Sequence, residues 1–106
     1  EILEQVKSGK AVLVDVREES EWEEGHLKLA KSLPLSSIEG VDSKARAKAT
    51  EGLPKDKVVF LHCKAGVRCM KAANILEKDG LKVQPIKMPY TTLESVFGRA
   101  PATVGK

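Results

Sequence analysis

Aromatic residues are scarce in this chain, with one Trp, one Tyr and two Phe making up 4% of its 106 residues. Single-stranded nucleic acid needs basic surface interleaved with stacking platforms, so no nucleic-acid partner is expected. Cysteine is nearly as rare. Two thiols, Cys63 and Cys69, are too few for a disulfide framework, and their spacing is not that of a zinc site. Free thiols suit a reducing compartment, and the cytoplasm is the expectation. No apolar run approaches the length of a membrane span, so no membrane partner is expected either. A secretory signal pattern is also missing, and a start at Glu1 is what a segment cut from a longer precursor or multidomain protein would show.

What is present is a globular balance. Hydrophobic residues at 42% and charged residues at 31% argue against disorder, and the length suits one domain spanning residues 1–106. The net charge of +3 is modest but unevenly placed. Residues 1–53 carry 8 basic and 11 acidic side chains, whereas residues 54–106 carry 10 and 4. A small anionic substrate would be drawn to the second half, although a solvated lysine-rich face reads equally well.

Residues 11–16, 32–35, 58–62 and 83–88 read as buried strands separated by helical or turn patterns. That alternation predicts an α/β fold with an open parallel sheet and helices on both faces. The unbroken apolar runs Ala11-Val12-Leu13-Val14 and Val58-Val59-Phe60-Leu61 are expected of strands covered on both sides. Capping-box spacing marks three helix starts: Ser20 with Glu23, Ser36 with Glu39, and Thr91 with Glu94. Trp22 reads as an apolar anchor of the first. Residues 39–50, rich in Ala and Lys, read as a surface helix or ordered loop. Cys69, Ala72, Ala73 and Leu76 form a stripe at helical spacing, with Gly80 as the stop.

The chemistry concentrates where the strand of residues 58–62 runs into Cys63-Lys64-Ala65-Gly66-Val67-Arg68. Arg68 opens a helical pattern, so loop N–H groups converge on the sulfur near a helix N-terminus. Such a setting favours thiolate over thiol. Asp15 closes the first strand and falls at the same carboxyl edge of the sheet, where ligands bind in folds of this kind.

This loop resembles the six-residue active-site loop of the rhodanese sulfurtransferases. Asp15-Val16-Arg17, Glu21-Trp22, Gly25-His26-Leu27, Ala30 and Leu33-Pro34 resemble the same family's N-terminal signature, in the same order. The resemblance implies a rhodanese-like fold and a single-domain thiosulfate sulfurtransferase. Cys63 would take sulfane sulfur from a donor such as thiosulfate, hold it as a persulfide, and pass it to cyanide or a thiol. Lys64, Ala65, Gly66, Val67 and Arg68 would bind the substrate, Asp15 and Arg17 would support the site, and no cofactor or metal would be required. A partner protein in a sulfur relay is the alternative donor or acceptor, with the chain then a carrier or docking module. A silent interaction domain is disfavoured by the presence of Cys63.

Cysteine phosphatases, some of which share the rhodanese fold, place five residues between Cys and Arg; this chain has four. The tighter loop suits sulfur better than phosphate. Two departures from the family stand out. Leu29 occupies a customary glycine position, and the segment of residues 87–93 replaces a glycine pair and tryptophan at the pocket rim, which leaves substrate preference open. Cys69 reads as an inward-facing structural thiol, with a resolving role as the alternative. Arg68 is expected to meet a carboxylate, Asp15 or Glu21, and Arg17 to join Asp15. His62 should point to the sheet face opposite Cys63. His26 looks structural, Trp22 looks like core, and Tyr90 and Thr91 either line the pocket or begin the terminal helix.

Overall fold

The computed structural model describes residues 2–100 of the chain, with side chains described through Gly98. In chain order the elements are α1 (Ile2–Lys7), β1 (Ala11–Asp15), α2 (Glu19–Glu24), β2 (His26–Leu27), β3 (Ala30–Ser32), a 3-10 turn at Leu35–Ser37, α3 (Ser43–Ala49), β4 (Val58–His62), α4 (Arg68–Glu77), β5 (Lys82–Pro85), α5 (Tyr90–Phe97) and β6 (Arg99–Ala100). The sheet is parallel, in the order β3-β1-β4-β5. β1 and β4, the two unbroken apolar runs, are its centre. A small antiparallel pair, β2 with β6, lies apart from it.

Alternation along the central strands divides the core in two. Val14, Val59, Leu61 and Cys63 pack with Cys69, Ala72, Ala73 and Leu76 of α4 and with Leu35 and Ile38. Leu13, Phe60 and Ile86 face the other way, against Leu93 and Phe97 of α5 and the partly buried Ile2, Leu3 and Val6 of α1. Helices therefore cover both faces, as the strand–helix alternation predicts. All four residues of the Cys69 stripe are buried.

The helix starts differ from those the spacing predicts. α2 is capped by Glu18, which forms a reciprocal capping box with Glu21; Ser20 is already inside the helix. Ser36 lies within the 3-10 turn and donates its hydroxyl to Glu18 Oε1 at 2.6 Å, so it ties two loops together and starts no helix. α5 begins after Pro89 without a side-chain cap. A pair of residues at the right spacing was outcompeted by a second local capping box at α2, by a tertiary contact at Ser36, and by a backbone already preset by proline at α5. Residues 39–50 resolve into α3, whose Asp42 carboxylate accepts the Ala45 N–H at 2.8 Å. The second and last strands run earlier than predicted, at Ala30–Ser32 and Lys82–Pro85, and α1, β2 and β6 carry no periodicity long enough to announce them. None of the described helices is long and apolar enough to cross a membrane.

Candidate active site

Cys63 is the first residue beyond β4. Following Val59 and Leu61 in the alternation, its side chain is buried on the α4 face. Residues 64–67 then reverse into α4. Gly66 makes that reversal with φ at +92°, and a Cβ there would sit 2.9 Å from the Lys87 carbonyl oxygen. The rim segment and the cysteine loop are thus packed backbone against backbone. The Tyr90 N–H donates to the Lys64 carbonyl at 2.9 Å, pinning the loop to the start of α5.

Two backbone donors aim at the sulfur. Gly66 N–H reaches Cys63 Sγ at 3.1 Å and Cys69 N–H at 3.3 Å. The second belongs to the first turn of α4, whose N–H groups have no intrahelical acceptor. The neighbouring Cys69 thiol, together with the N–H groups of Cys69, Gly66 and Ala65, holds Cys63 down to about 5, against burial that pushes it up. Cys69 is pushed the opposite way by Cys63 and by burial. The pair thus favours thiolate on Cys63 and thiol on Cys69, whose Sγ–H donates to Gly66 O at 3.4 Å and Ile86 O at 3.3 Å. Both thiols are free and buried. The stripe periodicity foretold Cys69's inward direction; its backbone role in the cradle had no signal beyond its place in the first helical turn.

Lys64, Ala65 and Val67 are exposed around the cradle, while Gly66 is buried beneath them. Arg68 does not stand free. Its Nη1 and Nη2 donate to the two oxygens of Glu21 at 2.7 and 3.1 Å, so the carboxylate expected opposite it is Glu21 and not Asp15. That guanidinium holds the Glu21 carboxyl down to about 2.

Asp15 and Arg17 form a separate buried unit behind the loop. Asp15 Oδ1 accepts the Arg17 backbone N–H at 2.9 Å, Oδ2 pairs with Arg17 Nη2 at 2.8 Å, and the same nitrogen donates to Gly25 O at 2.8 Å. Arg17 also lies over the Tyr90 ring, 4.1 Å from its centroid. Asp15 therefore braces Arg17 and accepts no N–H from the cysteine loop among the described contacts. His62 is on this face, opposite Cys63, fully buried and 3.9 Å from Asp15. Burial pushes it down to about 4, so it is neutral, and neither ring nitrogen finds a hydrogen-bond partner. Trp22 is not core: half-buried, it stacks flat on His26 at 3.6 Å, a contact that ties α2 to β2.

Fold and loop together define an α/β protein that seats a cysteine thiolate under backbone donors at a helix N-terminus. Residues 1–91 match the family model of the rhodanese-like domain, and the chain belongs to that family. It is 39% identical over 71 residues to the uncharacterized protein YqhL of Bacillus subtilis, covering 67% of this chain and 50% of that protein. It is 35% identical over 71 residues to the probable adenylyltransferase/sulfurtransferase MoeZ of Mycobacterium tuberculosis, covering 67% of this chain and 17% of that one. The solved structure of Helicobacter pylori protein hp1203 superposes with a TM-score of 0.72 at 30% identity, over 98% of this chain and 90% of that one. The chain thus spans half or less of the curated relatives it matches. Membership supports sulfurtransferase-type chemistry in general.

Proposed function

We propose that the chain, read as one rhodanese-like domain over residues 1–106, moves sulfane sulfur through a persulfide on Cys63. The observation that carries this is the pair of N–H groups of Gly66 and Cys69 directed at Cys63 Sγ. With thiosulfate, the Cys63 thiolate attacks the outer sulfur, the new S–S bond forms as the donor's S–S bond breaks, and sulfite leaves with the electron pair. An acceptor thiolate or cyanide then attacks the outer sulfur of the persulfide and returns Cys63 as thiolate. Splitting transfer through a covalent intermediate is efficient because each half-reaction starts from a stabilised anion. Lys64, Ala65, Gly66, Val67 and Arg68 surround the incoming sulfur in this reading, and Asp15 with Arg17 braces the loop from behind.

A second reading has a specific support. The MoeZ relative pairs a matching segment with a much longer chain, of which the match is 17%, and its name joins adenylyl and sulfur transfer. A sulfur carrier loaded by a partner protein, with free thiosulfate irrelevant, fits that arrangement. Intact-protein mass spectrometry separates the two. After incubation with thiosulfate, one added sulfur atom that cyanide removes, that survives Cys69→Ser and that vanishes with Cys63→Ser is the expected result. Loading only from a protein persulfide would favour the carrier. No loading of Cys63 from either source would end the proposal.

A further inference from the structure

Arg68 is the cation closest in kind to an anion receptor at the cradle, yet its two terminal nitrogens are already engaged by Glu21. The pair is partly open to solvent, each side chain being 30% exposed, so it borders the site without being sealed in the core. Glu18 adds a second carboxylate in the neighbourhood of the same guanidinium, and the Cys63 thiolate is a third anion acting on it. Glu18 is itself held in place by Ser36, which donates its hydroxyl at 2.6 Å and its N–H at 3.3 Å. Of the loop's cations, only Lys64 is exposed and outside any described ion pair. A free dianion approaching Cys63 therefore meets a site whose principal positive charge is already neutralised. A fork-shaped guanidinium bound bidentately by a carboxylate is a poor receptor for a second anion.

We propose that Glu21 is a specificity-determining residue, selecting against dianionic donors such as thiosulfate and in favour of sulfane sulfur carried on a thiol, R–S–SH. This inference rests on the persulfide reading of Cys63. With such a donor the Cys63 thiolate attacks the outer sulfur, the donor's S–S bond breaks as the new one forms, the thiolate R–S⁻ leaves with the electron pair, and Cys63–S–SH is formed with the donor's proton. The leaving group carries one charge, and the reacting donor carries none when protonated, so little is lost by pairing Arg68. The same pair still orients the guanidinium beside the thiolate. Glu21 Oε1 also accepts the Glu18 N–H at 2.9 Å, which a glutamine at this position would still do.

The test compares second-order rate constants for adding one sulfur to Cys63, read by intact mass, in the wild-type chain, Glu21→Gln and Glu21→Asp. The donors are thiosulfate and 2-hydroxyethyl persulfide, whose carbon frame is uncharged. Glu21→Gln should raise the thiosulfate rate constant about tenfold, the scale of one carboxylate acting on two charges across a few ångströms of hydrated surface. It should change the hydroxyethyl persulfide rate constant by less than about twofold, and Glu21→Asp should behave as wild type. Added salt should depress the thiosulfate rate constant of Glu21→Gln more steeply than that of the wild type, because the variant offers an unpaired Arg68 in addition to Lys64. An equal rise with both donors, or none with thiosulfate, overturns the role of Glu21 while leaving the persulfide standing. If neither donor loads Cys63, the persulfide reading itself falls. Should Glu21→Gln fail to fold, a comparison of Arg68→Gln with the wild type decides: a thiosulfate rate constant that falls about tenfold or more in Arg68→Gln, with the hydroxyethyl persulfide rate constant unchanged, means Arg68 is already available to the dianion, and the inference is wrong.

Discussion

Replacing Gly66 by alanine tests whether the cradle is held by backbone contact with the rim. The substitution has two costs. An L residue at the observed φ of +92° is strained, typically by about 1–2 kcal/mol. Its Cβ would also stand 2.9 Å from the Lys87 carbonyl oxygen, a backbone atom that cannot move without dragging the rim segment. Gly40 separates the two terms, since it has φ +74° and nothing within 4 Å of a built Cβ. Gly40→Ala should cost about 1 kcal/mol and Gly66→Ala about 3, which for a domain of this size is roughly 4 °C against 12 °C in Tm. The second readout is chemical. Iodoacetamide alkylation of wild-type Cys63 should plateau above a midpoint near 5. In Gly66→Ala the midpoint should rise by about one unit, because displacing one N–H donor removes a charge-assisted hydrogen bond worth about 1.5 kcal/mol. The sign also follows for stability: a thiol lowered from 9.0 to about 5 contributes most above the upper value, and that contribution is lost as pH falls toward the lower. Equal Tm losses at Gly40 and Gly66, with an unmoved alkylation midpoint, would refute the idea that the rim shapes the cradle.

Two further outcomes are expected. His62 is lowered from 6.5 to about 4 by burial, so the unfolded chain takes up a proton in that window before the folded one does, and stability falls as pH drops through it. The loss attributable to His62 is about 3 kcal/mol; urea unfolding at both ends of the window should show His62→Phe losing less by that amount, and an unchanged pH slope would count against a neutral buried imidazole. Leu29 is exposed and adopts φ 72°, the left-handed region that the family's customary glycine enters freely. Leu29→Gly should raise stability by up to about 1 kcal/mol, the strain relieved less the extra chain entropy, with sulfur loading of Cys63 unaltered; a lower Tm would be evidence against strain at this turn.

Much of this architecture was legible from residue pattern because its determinants are local and repetitive. β1 and β4 are continuous apolar runs that only a doubly covered strand accommodates, and Cys69, Ala72, Ala73 and Leu76 mark the buried side of α4 by spacing alone. The four residues between Cys63 and Arg68 set the size of the loop before any coordinates. The capping pairs misled for the opposite reason: a serine and a glutamate three apart satisfy a local rule that tertiary hydrogen bonds override, as Ser36 does by turning to Glu18.

Partner choice belonged to the tertiary structure. Nothing in spacing distinguishes Asp15 from Glu21 as the carboxylate on Arg68, because the answer depends on where α2 lies across the loop, 47 residues away in sequence. The same holds for the Gly66 approach to Lys87 and for the Cys69 N–H directed at Cys63, contacts created by docking β5 and α4 around the end of β4. The sequence by itself determined a parallel α/β sheet ending in a short loop with a cysteine at its base. Only the folded chain decided that Cys69 packs its backbone N–H against the Cys63 sulfur, that Glu21 holds Arg68, and that Asp15 pairs with Arg17 on the opposite face of the sheet. Alternation and loop length are properties of neighbouring residues, whereas charge state and pairing are set by what folding brings into contact.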